Sequence, residues 1–163
     1  MKRLLIIIAA IFLLAGCQSQ PQNQPADNSE GNGGKENVNT ETGKAIFIIE
    51  VNGHQLIADF ADNKSAQAFK ELLEKGELHL HLQDYGDFEK VGPLGTSLVR
   101  SDESIQTQAG DVILYQGNQI TIYYDHNSWT FTRLGKIRDV DTARLKEILG
   151  PGDVDVVIRL EKE

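Results

Sequence analysis

Few residues in this chain have a type and spacing suited to chemistry. Cys17, at the end of "LLAGC", is the sole cysteine, and its thiolate is the strongest nucleophile the sequence offers. His79 and His81 stand two apart, which on a strand places both imidazoles on one face, a spacing that can share a metal ion. Zinc takes four ligands, however, and the other histidines, His54 and His126, fall in predicted turns, so the pair reads as a polar strand face, with metal binding the alternative. Asp125, His126 and Ser128 are near neighbours in sequence and do not converge on one reacting atom; they read as turn chemistry. "GPLGTS" lacks the Gly-Lys-Thr of a phosphate loop. Two further groups suit binding. Tyr85, Phe88, Glu89 and Lys90 sit in a glycine-containing stretch, where Phe88 and Val91 could instead plug one barrel end and Glu89 and Lys90 form a surface pair, and Gln119, Thr121 and Tyr123 alternate along one strand face.

The elements around Cys17 define its role. Lys2 and Arg3 precede eleven apolar residues, Leu4 to Leu14, and the small pair Ala15-Gly16 precedes the cysteine. This is the order of a secretory signal peptide, residues 1–16, and the apolar run is shorter than the about 20 residues that span a bilayer. "LAGC" resembles the lipobox of bacterial lipoproteins. The resemblance implies thioether lipidation of Cys17, acyl chains such as palmitate, cleavage after Gly16, and residence at the extracytoplasmic side of a bacterial cell membrane. Acylation leaves the folded part without a thiol.

Residues 17–44 carry the lipidated cysteine and then "QSQPQNQPADNSEGNGGKENVNTETGK", which cannot bury enough apolar area to offset its ordering entropy. As a coil, these residues reach roughly 30 Å and form a tether. Loss of Lys2 and Arg3 with the signal leaves 14 basic against 24 acidic residues, so the formal charge goes from -8 to -10. Nucleic acid is excluded as a partner, because its binding relies on Lys and Arg neutralising phosphates. Membrane contact should come from the lipid on Cys17.

Residues 45–163 have the length of one domain. "AIFIIEVN" and "HQLIADFAD" flank Asn52-Gly53 as a hairpin, and "NKSAQAFKELLEKG" is an amphipathic helix with a cap at Asn63 or Ser65. "ELHLHLQ" alternates as a strand, and residues 84–97 read as a long loop. "GDVILYQGNQITIYYD" gives two strands about residues 116–118, and "SWTFTRLGKI" gives another. Asp141 caps "TARLKEIL", and "DVDVVIRLE" is the last strand. Roughly seven strands, two short helices and tight turns predict a mainly β fold, a closed or nearly closed antiparallel barrel.

Three segments together, "DYGDFEKVGPLGTSL", "AGDVILYQGNQITIYY" and "SWTFTRLGKIRDVDTARLKEIL", resemble small bacterial cyclophilin-like domains, a divergent branch of the cyclophilin barrel. "NQITI" stands for the glutamine-bearing strand, and "LGKI" for Phe-Gly-Lys-Val before a helix. The resemblance implies a groove where cyclophilins hold a prolyl peptide with an arginine, a glutamine, a phenylalanine and a histidine. Gln119 matches the glutamine, Thr121 occupies the phenylalanine position and Phe131 the histidine position, and no Phe-His-Arg segment exists; "LHLHL" is the nearest strand. Arg133 and Lys90 are the cations that could act as donors to a twisted amide. With most isomerase residues unmatched, the expectation is a binding module for a peptide or small molecule, without catalytic residues or cofactor. Its groove is expected at Gln119, Thr121, Tyr123, Phe131 and Arg133, with Tyr85, Glu89 and Lys90 from the loop. The alternatives are a peptidyl-prolyl isomerase and a metal-binding domain built on His79 and His81.

Overall fold

The computed structural model describes residues 45–162; the signal peptide, Cys17 and the polar tether expected from the sequence lie outside them. Among the described residues the chain forms β1 (Ala45–Val51), β2 (His54–Phe60), α1 (Lys64–Leu73), β3 (Leu78–Tyr85), β4 (Glu89–Pro93) and β5 (Glu103–Gln106). It continues as β6 (Asp111–Tyr115), β7 (Gln119–Tyr123), β8 (Ser128–Ile137), α2 (Thr142–Leu149) and β9 (Val154–Lys162). Nine strands replace the expected seven.

The local reasons are those of turn and cap chemistry. Asn52 and Gly53 both take positive φ, 49° and 76°, as a two-residue turn between twisted strands requires. The Asn52 side chain also donates to the carbonyls of Ile148 and Leu149 (2.9 and 3.2 Å), closing the C-terminus of α2. Asn63 caps α1 through the Ala66 amide (2.9 Å) and donates to the Arg133 carbonyl (2.8 Å), tying the helix start to β8.

The supposed loop at 84–97 is a correction. Asp84 and Tyr85 end β3, Gly86 and Asp87 turn with φ of 64° and 58°, and the chain returns as β4. β4 pairs with β3 on one side, through Gln83↔Val91 and Tyr85↔Glu89, and with β7 on the other.

All pairings are antiparallel, in the order β2-β1-β9-β3-β4-β7-β6-β8, and β2 pairs with β8 to close an eight-strand barrel. β5 adds to β8 outside the ring. The interior holds Phe47, Ile49, Leu82, Val112, Leu114, Ile120, Ile122, Leu134, Val156 and Ile158, with Phe69 of α1 and Leu145 of α2 packed against them. Phe47, Phe60 and Phe69 meet at centroid distances of 4.8 to 6.2 Å.

Closure of the ring depends on Gly135. A Cβ there would lie 2.3 Å from the Asp59 carbonyl oxygen and 2.6 Å from the Phe47 ring, because β2 and β8 meet where Phe60 pairs with Gly135. Gly135→Ala should therefore lower unfolding free energy by about 1–3 kcal/mol, read from the urea midpoint. An unchanged midpoint would mean that the seam tolerates a methyl group and is not closed as described.

Candidate functional site

A second apolar cluster lies on the outer face of the barrel, formed by Ile105, Ile113, Tyr123 and Phe131 with Phe88 and Tyr115 against it. Strand alternation produces it. On β7, Ile120 and Ile122 enter the interior, so Gln119, Thr121 and Tyr123 face out. In the β4–β7 register, Glu89 stands opposite Tyr123 and Val91 opposite Thr121, so Glu89 and Val91 share this outer face.

β8 contributes through a bulge. Val112 pairs with Gly135 but Ile113 pairs with Arg133, which leaves Leu134 extra. Without it, Trp129, Phe131, Arg133, Gly135 and Ile137 would all lie on one side. With it, Phe131 joins the outer cluster while Ile137 packs inside.

The aromatic rings form a continuous chain. Tyr85 meets Phe88 edge-on at 6.0 Å, and Phe88 lies parallel to Tyr123 at 6.1 Å. Tyr123 meets Phe131 at 5.6 Å, and Phe131 meets Tyr115 at 6.2 Å. Gly86 makes this possible, because a Cβ at its positive φ would sit 2.3 Å from the Phe88 ring. The rings line a groove of about 410 Å³, with Trp129 (65% exposed) at its rim and Glu89, Gln119 and Asn127 as polar members.

Glu89 is the charged residue of this groove and is only 8% exposed. Tyr123 stands opposite Glu89 across the β4–β7 ladder, its hydroxyl interacting with the carboxylate, and Asn127 Nδ2 reaches the same hydroxyl at 3.4 Å. Glu89 Oε2 is nevertheless buried with no hydrogen-bond partner. Burial pushes the Glu89 carboxyl above its ordinary value of 4.5, the Tyr123 bond opposing the shift only in part. Burial, and then the neighbouring Glu89, push the Tyr123 phenol up as well.

Of the residues singled out from sequence, Tyr85, Glu89, Gln119, Tyr123 and Phe131 line the groove. Thr121 shares the face but is buried at 1% exposure between Val91 and Ile113. Arg133 stands outside the lining, its Nη2 donating to Asp111 at 3.2 Å and its Nε buried without a partner. Phe88, of the same glycine-containing stretch as Tyr85 and Glu89, joins the lining, and Val91, Tyr115, Asn127 and Trp129 line it without a place in the expected groove. For Trp129 a signal existed, since it stands two residues before Phe131 on the same strand face.

Lys90 is a correction. It points to the opposite face of β4 from Glu89, 1% exposed, and its three N–H donors meet Asp84 and the carbonyls of Gly150 (2.8 Å) and Gly152 (2.5 Å). Tyr124 also donates to Asp84, at 3.0 Å. Burial raises the Asp84 carboxyl, but the bonds from Lys90 and Tyr124 outweigh that and hold it below its ordinary value. Lys90 thus fastens the α2–β9 connection to the β3–β4 hairpin.

His79 and His81 lie exposed on β3, each engaged by a carboxylate: His79 by Glu77 at 2.8 Å, His81 by Asp155 at 2.8 Å and Asp153 at 3.5 Å. The Asp155 bond is the main reason that His81 titrates above its usual 6.5. Among the described residues no three His, Cys, Asp or Glu side chains group as a metal site.

The model of the Cyclophilin-like family matches residues 49–160. No curated protein matches the chain. A solved structure described as McbB in complex with tryptophan is similar at 17% identity with a TM-score of 0.43. The match covers 69% of this chain and 44% of that one, so the chain spans less than half the length of that protein.

Opposite stability effects should separate the two neighbours on β4. Lys90→Met leaves Asp84 without its counter-ion and two carbonyls without their donor, and should cost about 3–5 kcal/mol. The folded state holds the Glu89 proton more tightly than the unfolded chain does. Wild-type stability from this group therefore declines as pH rises above 4.5 and levels off once the raised folded pKa is passed. Glu89→Gln removes that decline and should stabilise the protein at pH 7 by on the order of 1 kcal/mol, with little gain at pH 4. Denaturant melts of both variants at the two pH values check this; a Glu89→Gln variant less stable at pH 7 than at pH 4, relative to wild type, contradicts it.

Proposed function

The chain belongs to the cyclophilin-like family, and from that premise we propose that its barrel is a ligand-binding module whose site is the aromatic groove on its outer face. The observation that carries this reading is the groove itself: about 410 Å³ is within the usual range of ligand sites, as are apolar walls with a few convergent polar groups. Exposed apolar side chains normally scatter singly; here five rings, of which Tyr123 and Phe131 are buried, form one connected chain. A short peptide is the ligand class that an open aromatic groove suits.

Binding is favoured over isomerisation on geometric grounds. A prolyl isomerase must stabilise a twisted amide with a donor near the prolyl nitrogen. Arg133 and Lys90 are engaged by Asp111 and Asp84, and no Lys or Arg is among the residues that line the groove.

Membrane attachment is part of the same proposal. Cys17 would carry the lipid, and the tether of residues 18–44 would hold the barrel on the extracytoplasmic side, consistent with the order of charges and apolar residues before it. Among the described residues no helix is long and apolar enough to cross a membrane.

Trp129 is the single tryptophan of the chain and stands at the groove rim, so its emission reports occupancy. Peptides of the form acetyl-Ala-Xaa-Pro-Ala-amide should shift that emission saturably, and Phe88→Ala should weaken binding by about tenfold. The same peptides should isomerise no faster with the protein than without it. Absence of any saturable shift across the panel would overturn the binding reading, and accelerated isomerisation would replace it. For the anchor, cells fed labelled palmitate should incorporate it into wild type but not into Cys17→Ser. A Cys17→Ser protein that remains membrane-bound after cleavage at the same bond would refute lipidation.

A further inference from the structure

The acidic groups of the barrel differ in how their charge is met. Asp111, 2% exposed, faces two cations, Arg133 at 3.2 Å and Lys136 at 3.1 Å. Asp84 faces Lys90. Glu89, 8% exposed, is more buried than Asp84, yet its neighbour is the neutral Tyr123 hydroxyl, and Oε2 has no donor. A buried carboxylate oxygen without a donor is costly, and among the described residues no cation lies against this one.

The walls around Glu89 share its preference. The rings of Tyr85, Phe88, Tyr123 and Trp129 border the same groove, and aromatic faces attract a cation through their quadrupole, more so where water is excluded. The chain's formal charge of -8 favours the approach of positive ligands. The unpartnered oxygen adds a further condition. A quaternary ammonium would satisfy the rings but bring no N–H to Oε2, whereas an ammonium or guanidinium supplies both charge and donor. The groove volume of about 410 Å³ exceeds that of one side chain and leaves space for flanking residues.

We propose that the groove recognises a basic residue of a peptide, whose ammonium or guanidinium group supplies the counter-ion that Glu89 lacks. This rests on the ligand-binding reading above. It assigns Glu89 as the specificity-determining group and the rings as the walls around the cation.

The test uses the full chain in mild detergent, titrated with acetyl-Ala-Lys-Pro-Ala-amide, its arginine counterpart, and the neutral norleucine and citrulline counterparts. Trp129 emission and isothermal calorimetry are the readouts. The lysine and arginine peptides should bind at least about tenfold more tightly than their neutral partners. Glu89→Gln should abolish that preference, and Tyr85→Leu, at a ring that is 62% exposed, should reduce it without depending on a core residue. Equal affinity for charged and neutral peptides, or a preference that survives Glu89→Gln, overturns the cation proposal and leaves the binding module standing. If none of the four peptides binds, the binding reading itself falls.

Discussion

The structure turns on two consecutive residues of β4 that the pleat sends to opposite faces. Glu89 goes to the outer groove and Lys90 to the other side, both buried. Adjacent opposite charges at a surface would form a weak pair worth well under about 1 kcal/mol. Here they cannot meet, and each must be satisfied by what its own side of the sheet provides. Lys90 is fully provided for, with one carboxylate and two backbone carbonyls for its three donors. Glu89 is half provided for. Since slipping β4 by one residue would exchange the two faces, the completeness of the Lys90 cluster holds Glu89 against Tyr123.

The other irregularities of the barrel serve the same outer face. The bulge at Leu134 lets one strand supply Phe131 outside and Ile137 inside. Gly86 admits the Phe88 ring over the β3–β4 turn, and Gly135 brings β2 close enough to β8 to close the ring behind the groove. The interior cluster makes a rigid support, so the exposed parts of the groove, Tyr85 and Trp129, extend from strands and not from a free loop.

Elements with local signals were legible. Asn52-Gly53, the Asn63 and Asp141 caps and the alternation of "LHLHL" each depend on neighbours in sequence, and each lies where expected. β4 and β5 were not legible. "EKVGP" carries two charges, a glycine and a proline, and becomes a strand because acceptors at Gly150 and Gly152, some 60 residues on, receive Lys90. "ESIQ" has one apolar residue and depends on Trp129 across the ladder. The groove was half visible. Gln119, Tyr123 and Phe131 came from strand alternation and the resemblance to cyclophilins, and Tyr85 and Glu89 from the glycine-containing stretch, whereas the exclusion of Arg133 follows from its bond to Asp111, which no spacing announces.

The role of the groove depends most on Glu89 being a buried acid that lacks a counter-ion. Its side-chain carboxyl can be followed directly by carbon NMR in the full chain, with and without the lysine peptide. Free protein should titrate above 4.5, and the peptide should bring the midpoint down as its ammonium stabilises the carboxylate. A midpoint at the ordinary value, or one that the peptide leaves unmoved, would contradict the role assigned to this groove.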